Sequence, residues 1–224
     1  MTTTTTLLLR VLGVLCGGFG LAAPAAAQSD FAIRPFGMAT IEQFAATTSF
    51  DAVLGTVSNG AVTKSGARQP FFGGGAEIIL PRNIYVDLTG SWFQKDGQRA
   101  FISSGQTFQL GIPLSVKLTA FEVTGGYRFK LTRYERIVPY VGAGFGVYMY
   151  KETSSDPADA VDTSHAGGLL VGGVEFRVHQ WVGLSVDAQW TRVPGILGTA
   201  GVSKDANEND LGGVAGRVRV IVGK

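Results

Sequence analysis

Polarity in this chain alternates residue by residue over long stretches, and that period decides what it can fold into. In Trp181–Arg192 the residues Val182, Leu184, Val186, Ala188 and Trp190 share one face, and Gly183, Ser185, Asp187, Gln189 and Thr191 share the other. Period two over such a length is a strand with one apolar and one polar face; on a helix the same residues would scatter around the cylinder. Phe31–Phe44 repeats the pattern with Ile33, Ala39 and Ile41 against Arg34, Thr40 and Glu42. So does Gln69–Leu80, where Phe72, Ala76, Ile78 and Leu80 oppose Gly73, Gly75 and Glu77. In Ile84–Gln94, Ile84, Val86, Leu88 and Trp92 oppose Asp87, Thr89 and Ser91. Leu114–Phe129 ends with Phe121, Val123, Tyr127 and Phe129 against Glu122, Thr124 and Arg128, with a start that reads out of step near Thr119. Val138–Lys151, Gly167–Val178 and Leu211–Val222 complete a set of eight strands of roughly 11 to 15 residues, longer than the usual globular strand.

The connections are lopsided. Pro81-Arg82-Asn83 and His179-Gln180 are short and Lys130–Ile137 is moderately short, whereas Ala45–Arg68, Lys95–Pro113, Glu152–Ala166 and Val193–Asp210 are long. Alternating short turns and long loops are the signature of an antiparallel, up-and-down barrel of the membrane-spanning kind. The fold class expected is therefore all-β, an eight-stranded antiparallel up-and-down transmembrane β-barrel. No helical segment, second domain or linker is expected.

Residues Leu7–Leu21 form an apolar run broken only by Arg10 and followed by Ala22-Ala23-Pro24-Ala25-Ala26-Ala27. A short apolar core ending in small residues is a secretory signal peptide. Cleavage after Ala27 divides the chain into a leader of residues 1–27 and a barrel domain of residues 28–224. The single cysteine, Cys16, falls in the leader, so the remaining chain has no disulfide framework or thiol nucleophile. Leu15 precedes it where a lipoprotein signal prefers a small side chain, which sets that reading aside. Beyond the leader no run of apolar residues is long enough for a spanning helix. Nineteen basic and 17 acidic residues interleave to a net charge of +2, leaving no basic stripe for nucleic acid.

Alternation alone does not say which face points inwards; a soluble barrel would hide the apolar one. The polar faces, however, are mostly Gly, Ser and Thr, too weakly charged to coat a soluble barrel. They also carry a balanced set without lysine: Arg34, Arg128, Arg177, Arg217 and Arg219 against Glu42, Glu77, Asp87, Glu122, Glu175 and Asp187. Guanidinium is the usual partner for a buried carboxylate, so these residues are assigned to a structural charge network in the lumen. Phe72, Trp92, Tyr127, Phe129 and Trp190 lie near strand ends on the apolar face and are assigned to lipid-facing aromatic girdles. Within the lumen set, Glu175, Arg177, Asp187, Arg217 and Arg219 fall on three successive strands and form the expected centre of the network.

The segments Pro70-Phe71-Phe72-Gly73-Gly74-Gly75, Val138-Pro139-Tyr140-Val141-Gly142-Ala143-Gly144 and Gly172-Gly173-Val174-Glu175-Phe176-Arg177, taken in order, resemble those of small eight-stranded bacterial outer-membrane β-barrel proteins of the OmpA/OmpX type. The resemblance covers residues 31–222. It implies a Gram-negative-type outer membrane, surrounding lipid and the outer-membrane assembly machinery as partners, a monomer, and no cofactor. One departure is the end Val220-Ile221-Val222-Gly223-Lys224, where such proteins commonly carry a terminal aromatic residue. No peptidoglycan-binding domain is read after the barrel.

An eight-stranded barrel is just wide enough for side chains to fill. A non-enzymatic structural or surface-interaction role is therefore expected, with any extracellular ligand held by the loops 45–68, 95–113, 152–166 and 193–210. The alternatives are a narrow small-solute or ion channel and a secreted, soluble, lipocalin-like ligand-binding barrel. Catalytic and metal sites are not expected. Ser164 and His165 are consecutive and on a strand point to opposite faces, and His179 sits at a turn. The tract Asp205-Ala206-Asn207-Glu208-Asn209-Asp210 is rich in oxygen ligands but lacks calcium-loop spacing, and reads as a solvated loop. The glycine runs at 73–75 and 142–146 precede no helix, so they are read as room for bulky lumen partners such as Tyr148, or as bends.

Overall fold

Eight long strands close on themselves in the computed structural model, which describes residues 31–131, 136–154, 161–198 and 201–223. The barrel strands are β1 (Ala32–Phe44), β4 (Arg68–Ile79), β5 (Ile84–Ser103), β6 (Gln106–Arg128), β7 (Ile137–Ser154), β8 (Val161–His179), β9 (Val182–Arg192) and β10 (Gly213–Val222). A separate hairpin of β2 (Thr56–Ser58) and β3 (Ala61–Lys64) lies in the first long connection. Every barrel strand pairs antiparallel with its neighbours in sequence order, and β1 closes the circle on β10 through Phe36 opposite Ile221 and Thr40 opposite Arg217. Closure pairs every strand on both sides and leaves no edge, which is what a lipid environment demands. The leader, residues 1–27, lies outside the described residues.

All eight expected strands are present, several of them longer than read. The connection 95–113 is mostly strand: β5 and β6 run on as a paired ribbon to a tight turn at Ser104-Gly105, both with positive φ. Asn59-Gly60 makes the same turn between β2 and β3. Two successive residues with φ > 0 match the right-handed twist of a hairpin, which is why Asn-Gly and similar pairs sit there.

The expectation of no helix is corrected. Thr47–Leu54 forms helix α1, and a single turn, α2, covers Gly201–Asp205. Within α1, Phe50, Val53 and Leu54 recur at helical spacing, and the buried face of Phe50 and Leu54 turns into the barrel mouth. The reading of β6 as out of step near Thr119 is also corrected. Leu114, Val116, Leu118, Ala120, Glu122 and Thr124 are all buried in one unbroken phase. What changes along the strand is the chemistry of the lumen, from apolar at the long-loop end to charged further in.

The outer wall is apolar. Ile41, Leu88, Phe121, Phe145, Leu170, Val186, Val218 and Val220 are exposed, and all lie on the outward phase of their strands. No helix among the described residues is long and apolar enough to cross a membrane. The strands carry the apolar surface instead.

Candidate functional site: the filled lumen and its loop-end cap

Lumen chemistry comes in layers. Nearest the short turns, Arg34 on β1 faces Glu77 on β4 directly across the ladder. Arg34 Nε donates to Glu77 Oε2 at 2.8 Å, and Nη2 donates to the same oxygen. Its Nη1 and Nη2 also reach Glu175 on β8, donating to Oε1 at 2.8 Å and Oε2 at 2.7 Å. Arg128 on β6 completes the ring, with Nη1 donating to Glu77 Oε1 at 2.6 Å and Nη2 to Glu175 Oε2 at 2.5 Å. Two guanidiniums and two carboxylates, all buried, thus neutralise one another in a closed set. Charge-assisted bonds of this kind are the strong ones, and each carboxylate here receives donors from both arginines.

The next layer is built on β9 and β10. Arg217 Nε donates to Asp187 Oδ1 at 2.5 Å, and its Nη1 donates to Gln189 Oε1. Arg219 spreads three ways, to Ser185 Oγ at 3.0 Å, Asp87 Oδ2 at 2.8 Å and the Tyr140 hydroxyl at 2.6 Å. Tyr140 passes the chain on by donating to Asp187 Oδ2 at 2.6 Å. The Arg219 guanidinium also sits 5.1 Å from the ring centres of both Phe36 and Tyr140, a cation–π arrangement that favours the charge without a further acceptor. Glu122 on β6 accepts from Tyr148 OH at 2.7 Å and from Gln189 Nε2 at 2.9 Å, with Arg217 Nη1 3.9 Å away.

The structure therefore separates the five residues read as one centre. Glu175 belongs to the Arg34–Glu77–Arg128 ring, while Asp187, Arg217 and Arg219 belong to the inner layer. Arg177 stays at the short-turn mouth with 46% of its side chain exposed, 3.7 Å from Glu175. Strand order predicts lateral neighbours, but a narrow lumen lets long side chains reach opposite walls, and that decides the pairs. Glu42 is half-buried below Phe44 and makes no hydrogen bond or ion pair among the described residues. Tyr140, Gln189 and Ser185 were not singled out, although their inward phase marks them as lumen residues.

Space for these groups comes from glycine. A Cβ on Gly142 would stand 2.5 Å from the Tyr85 hydroxyl, and one on Gly126 would stand 2.5 Å from the Tyr85 ring. Tyr85 packs edge-on against Tyr140 at 5.9 Å between ring centres, so the two glycines hold the ring against the inner layer.

Above the charges lies an apolar layer of Phe44, Phe50, Phe71, Phe93, Leu118 and Leu211 with their neighbours. Phe50 of α1 stacks on Phe44 at 3.9 Å between ring centres. The helix is held at both ends by side chains distant in sequence. Glu208 accepts from the first-turn amides of Thr48 at 2.9 Å and Ser49 at 2.8 Å, and from Ser49 Oγ at 2.6 Å. Those amides have no partner within a helix, and a carboxylate also complements the positive end of its dipole. At the far end Gln109 Nε2 donates to the carbonyls of Ala52 at 3.0 Å and Gly55 at 3.1 Å. In the acidic tract Asp210 Oδ1 similarly accepts from Val193 N at 2.7 Å and Gly212 N at 2.9 Å. The tract read as a solvated loop thus supplies carboxylates that tie the cap. Between α1, the β5–β6 ribbon and the last long connection lies a cleft of about 260 Å³, lined by Phe50, Val53, Leu110, Leu114, Tyr150 and Leu197 among others.

On the outside, Phe72 and Trp92 face each other across β4 and β5 near the loop end, with Trp190 exposed on β9. Tyr127 and Phe129 pack edge to face at 5.0 Å near the turns. The eight steps from Ile84, opposite Tyr127, to Trp92 span about 26 Å along the strand at ~3.3 Å per residue. A tilt of about 40° leaves roughly 20 Å of height, near the ~25 Å apolar band of such barrels. Ser164 is exposed whereas His165 is half-buried on the opposite phase, 3.3 Å from Thr163 Oγ1. Among the described residues no group of three or more His, Cys, Asp and Glu side chains could hold a metal ion.

A closed sheet with an apolar exterior and a charged interior is a membrane-spanning β-barrel. The chain belongs to the outer membrane protein beta-barrel domain family, whose model matches residues 12–216, and this places it in the bacterial outer membrane. It is similar in fold to Neisserial surface protein A, with a TM-score of 0.51 at 12% identity over 88% of this chain and 98% of that one. The N-terminal β-barrel domain of Pseudomonas aeruginosa OprF gives 0.47 at 11% over 87% and 97%. Ail, the attachment invasion locus protein of Yersinia pestis, gives 0.41 at 15% over 88% and 98%. No curated protein matches the chain in sequence. Membership of this family removes the secreted, soluble barrel from the readings of the sequence.

Proposed function

We propose that this protein is a non-enzymatic outer-membrane scaffold with a structural or surface-interaction role, exported through a leader of residues 1–27 and carrying its long-loop end outside the cell. The observation that carries the reading is Phe50 of α1 stacked on Phe44 in the barrel mouth, directly above the charged layers. A lumen filled in this way is a core, and the elaborated surface left for recognition is the loop end with its cleft. A narrow channel would need a continuous wet path, which the packed Phe44, Phe71, Phe93 and Leu118 oppose. Catalysis by Ser164 and His165 is opposed by their projection to opposite faces of β8. The Arg34 ring and the inner layer act as structural charge networks, and the two aromatic rims act as interfacial girdles.

Orientation tests the surface role. With Cys16 removed alongside the leader, a single introduced cysteine is a unique label site. On intact cells a membrane-impermeant maleimide should label Lys204→Cys in the last long connection and leave Gln180→Cys, at a short turn, unlabelled until the envelope is opened. The reverse pattern would end the proposal.

A further inference from the structure

The two charged layers do not balance equally. In the outer ring Arg34 and Arg128 match Glu77 and Glu175, so that ring is neutral. In the inner layer, among the described residues, Arg217 and Arg219 face Asp87, Asp187, Glu122 and Glu42. That leaves two guanidiniums against four carboxyl groups. Buried charge without a counter-charge is costly, and a fold tolerates it only if something neutralises it.

The excess is localised. Glu42 and Glu122 line one small cavity of about 20 Å³, together with Thr40, Ser91, Tyr148 and Thr191 among others. Among the described residues Glu42 makes no hydrogen bond or ion pair, and Glu122 has its Oε1 engaged by Tyr148 and Gln189. Thr40 is only 7% exposed, and its Oγ1 has no hydrogen-bond partner although the residue lines the same cavity. A hydroxyl that is buried, unpartnered and placed beside two carboxyl groups is an unused oxygen ligand.

We propose that this cavity is a binding site for one small monovalent cation of sodium size, held by the carboxylates of Glu42 and Glu122 and the Thr40 hydroxyl, with a proton on another carboxyl group of the layer taking up the second excess charge. Its volume suits a single water-sized occupant. All its donors are oxygen, the choice of a hard cation. Arg217 on the cavity wall disfavours a divalent ion. The apolar layer covers the site from the loop end, so the cation is taken up as the strands close during folding. The proposal concerns the lumen alone and stands whether or not the loop end has a surface role.

The test is thermal unfolding of the mature barrel, refolded in detergent in sodium chloride or in N-methyl-D-glucamine chloride of equal ionic strength. A cation bound only by the native state raises the midpoint in proportion to its occupancy. The native form should melt a few degrees higher in sodium, with a rise that saturates with sodium at constant ionic strength. Glu42→Gln should fold, melt at one temperature in both salts, and show no saturation. Thr40→Val should shift saturation to higher sodium. Equal midpoints for the unaltered protein in the two salts would overturn the site and assign the whole excess to protons on carboxyl groups. A full sodium response retained by Glu42→Gln would overturn it equally.

Discussion

Arg34 and Glu175 lie 141 residues apart and on strands separated by two others, yet they meet across the lumen through two parallel hydrogen bonds of 2.8 and 2.7 Å. This bidentate pair braces opposite walls, and with Glu77 and Arg128 it closes the short-turn end of the barrel. A ladder of backbone bonds fixes strands only to their neighbours. The Arg34–Glu175 pair instead sets the distance across the barrel.

Replacing Glu175 by Leu should leave Arg34 and Arg128 sharing one carboxylate. Removing one partner of a buried pair costs about 3–5 kcal/mol. Urea unfolding of Glu175→Leu in detergent should show a matching fall in stability, with a much smaller loss for Arg177→Leu, whose side chain is half exposed. Equal effects of the two substitutions would contradict the placement of Glu175 at the centre of the ring.

Glu208→Ala removes three hydrogen bonds from the first turn of α1. A lost helix cap costs about 0.5–2 kcal/mol, and here the loss is local to the loop end. Amide exchange in residues 47–54 should accelerate by about two- to thirty-fold on that estimate, while exchange in β9 and β10 stays unchanged. Uniform acceleration throughout the barrel would show that the cap and the barrel unfold as one unit.

Val186 projects outward near the middle of β9, next to the buried Asp187. An arginine at mid-depth on the lipid face costs about 2–4 kcal/mol. Val186→Arg should lower the unfolding free energy in phospholipid vesicles by that amount, and Val222→Arg, at the strand end, by much less. If both cost the same, Val186 does not sit at mid-depth.

Gly142 leaves the space that the Tyr85 hydroxyl fills. A methyl group there overpacks the lumen, for which about 1–3 kcal/mol is typical. Gly142→Ala should be destabilising alone and partly relieved when combined with Tyr85→Leu, the remainder coming from the Gly125 carbonyl oxygen 2.9 Å from the added Cβ. Additive losses in the double variant would mean that the two positions do not compete for the same space.

The strands were legible because a barrel wall has two unlike solvents, lipid outside and a polar core inside, and alternation records both. Arg34, Glu77, Glu122, Arg128, Glu175, Asp187, Arg217 and Arg219 all announced an inward face by that phase alone. Their partners were not legible. Pairing across a narrow lumen depends on strand stagger and side-chain reach, neither of which is written in a single strand. Helix α1 was missed although Phe50, Val53 and Leu54 carry helical spacing, because eight residues between long strands give little period to read. Asn59-Gly60 and Ser104-Gly105 are turn pairs that could have placed both hairpins in the long connections. The apparent slip near Thr119 reflected a change of lumen chemistry, which a pattern sorted only into polar and apolar mistakes for a change of phase.

The most direct measurement of the central claim, a lumen sealed by charge layers and the α1 cap, is ionic current through planar lipid bilayers containing the purified, refolded mature protein. The account predicts a quiet baseline for the unaltered protein at either polarity of applied voltage. Regular unitary current steps from that same protein would contradict it and make the lumen a pathway.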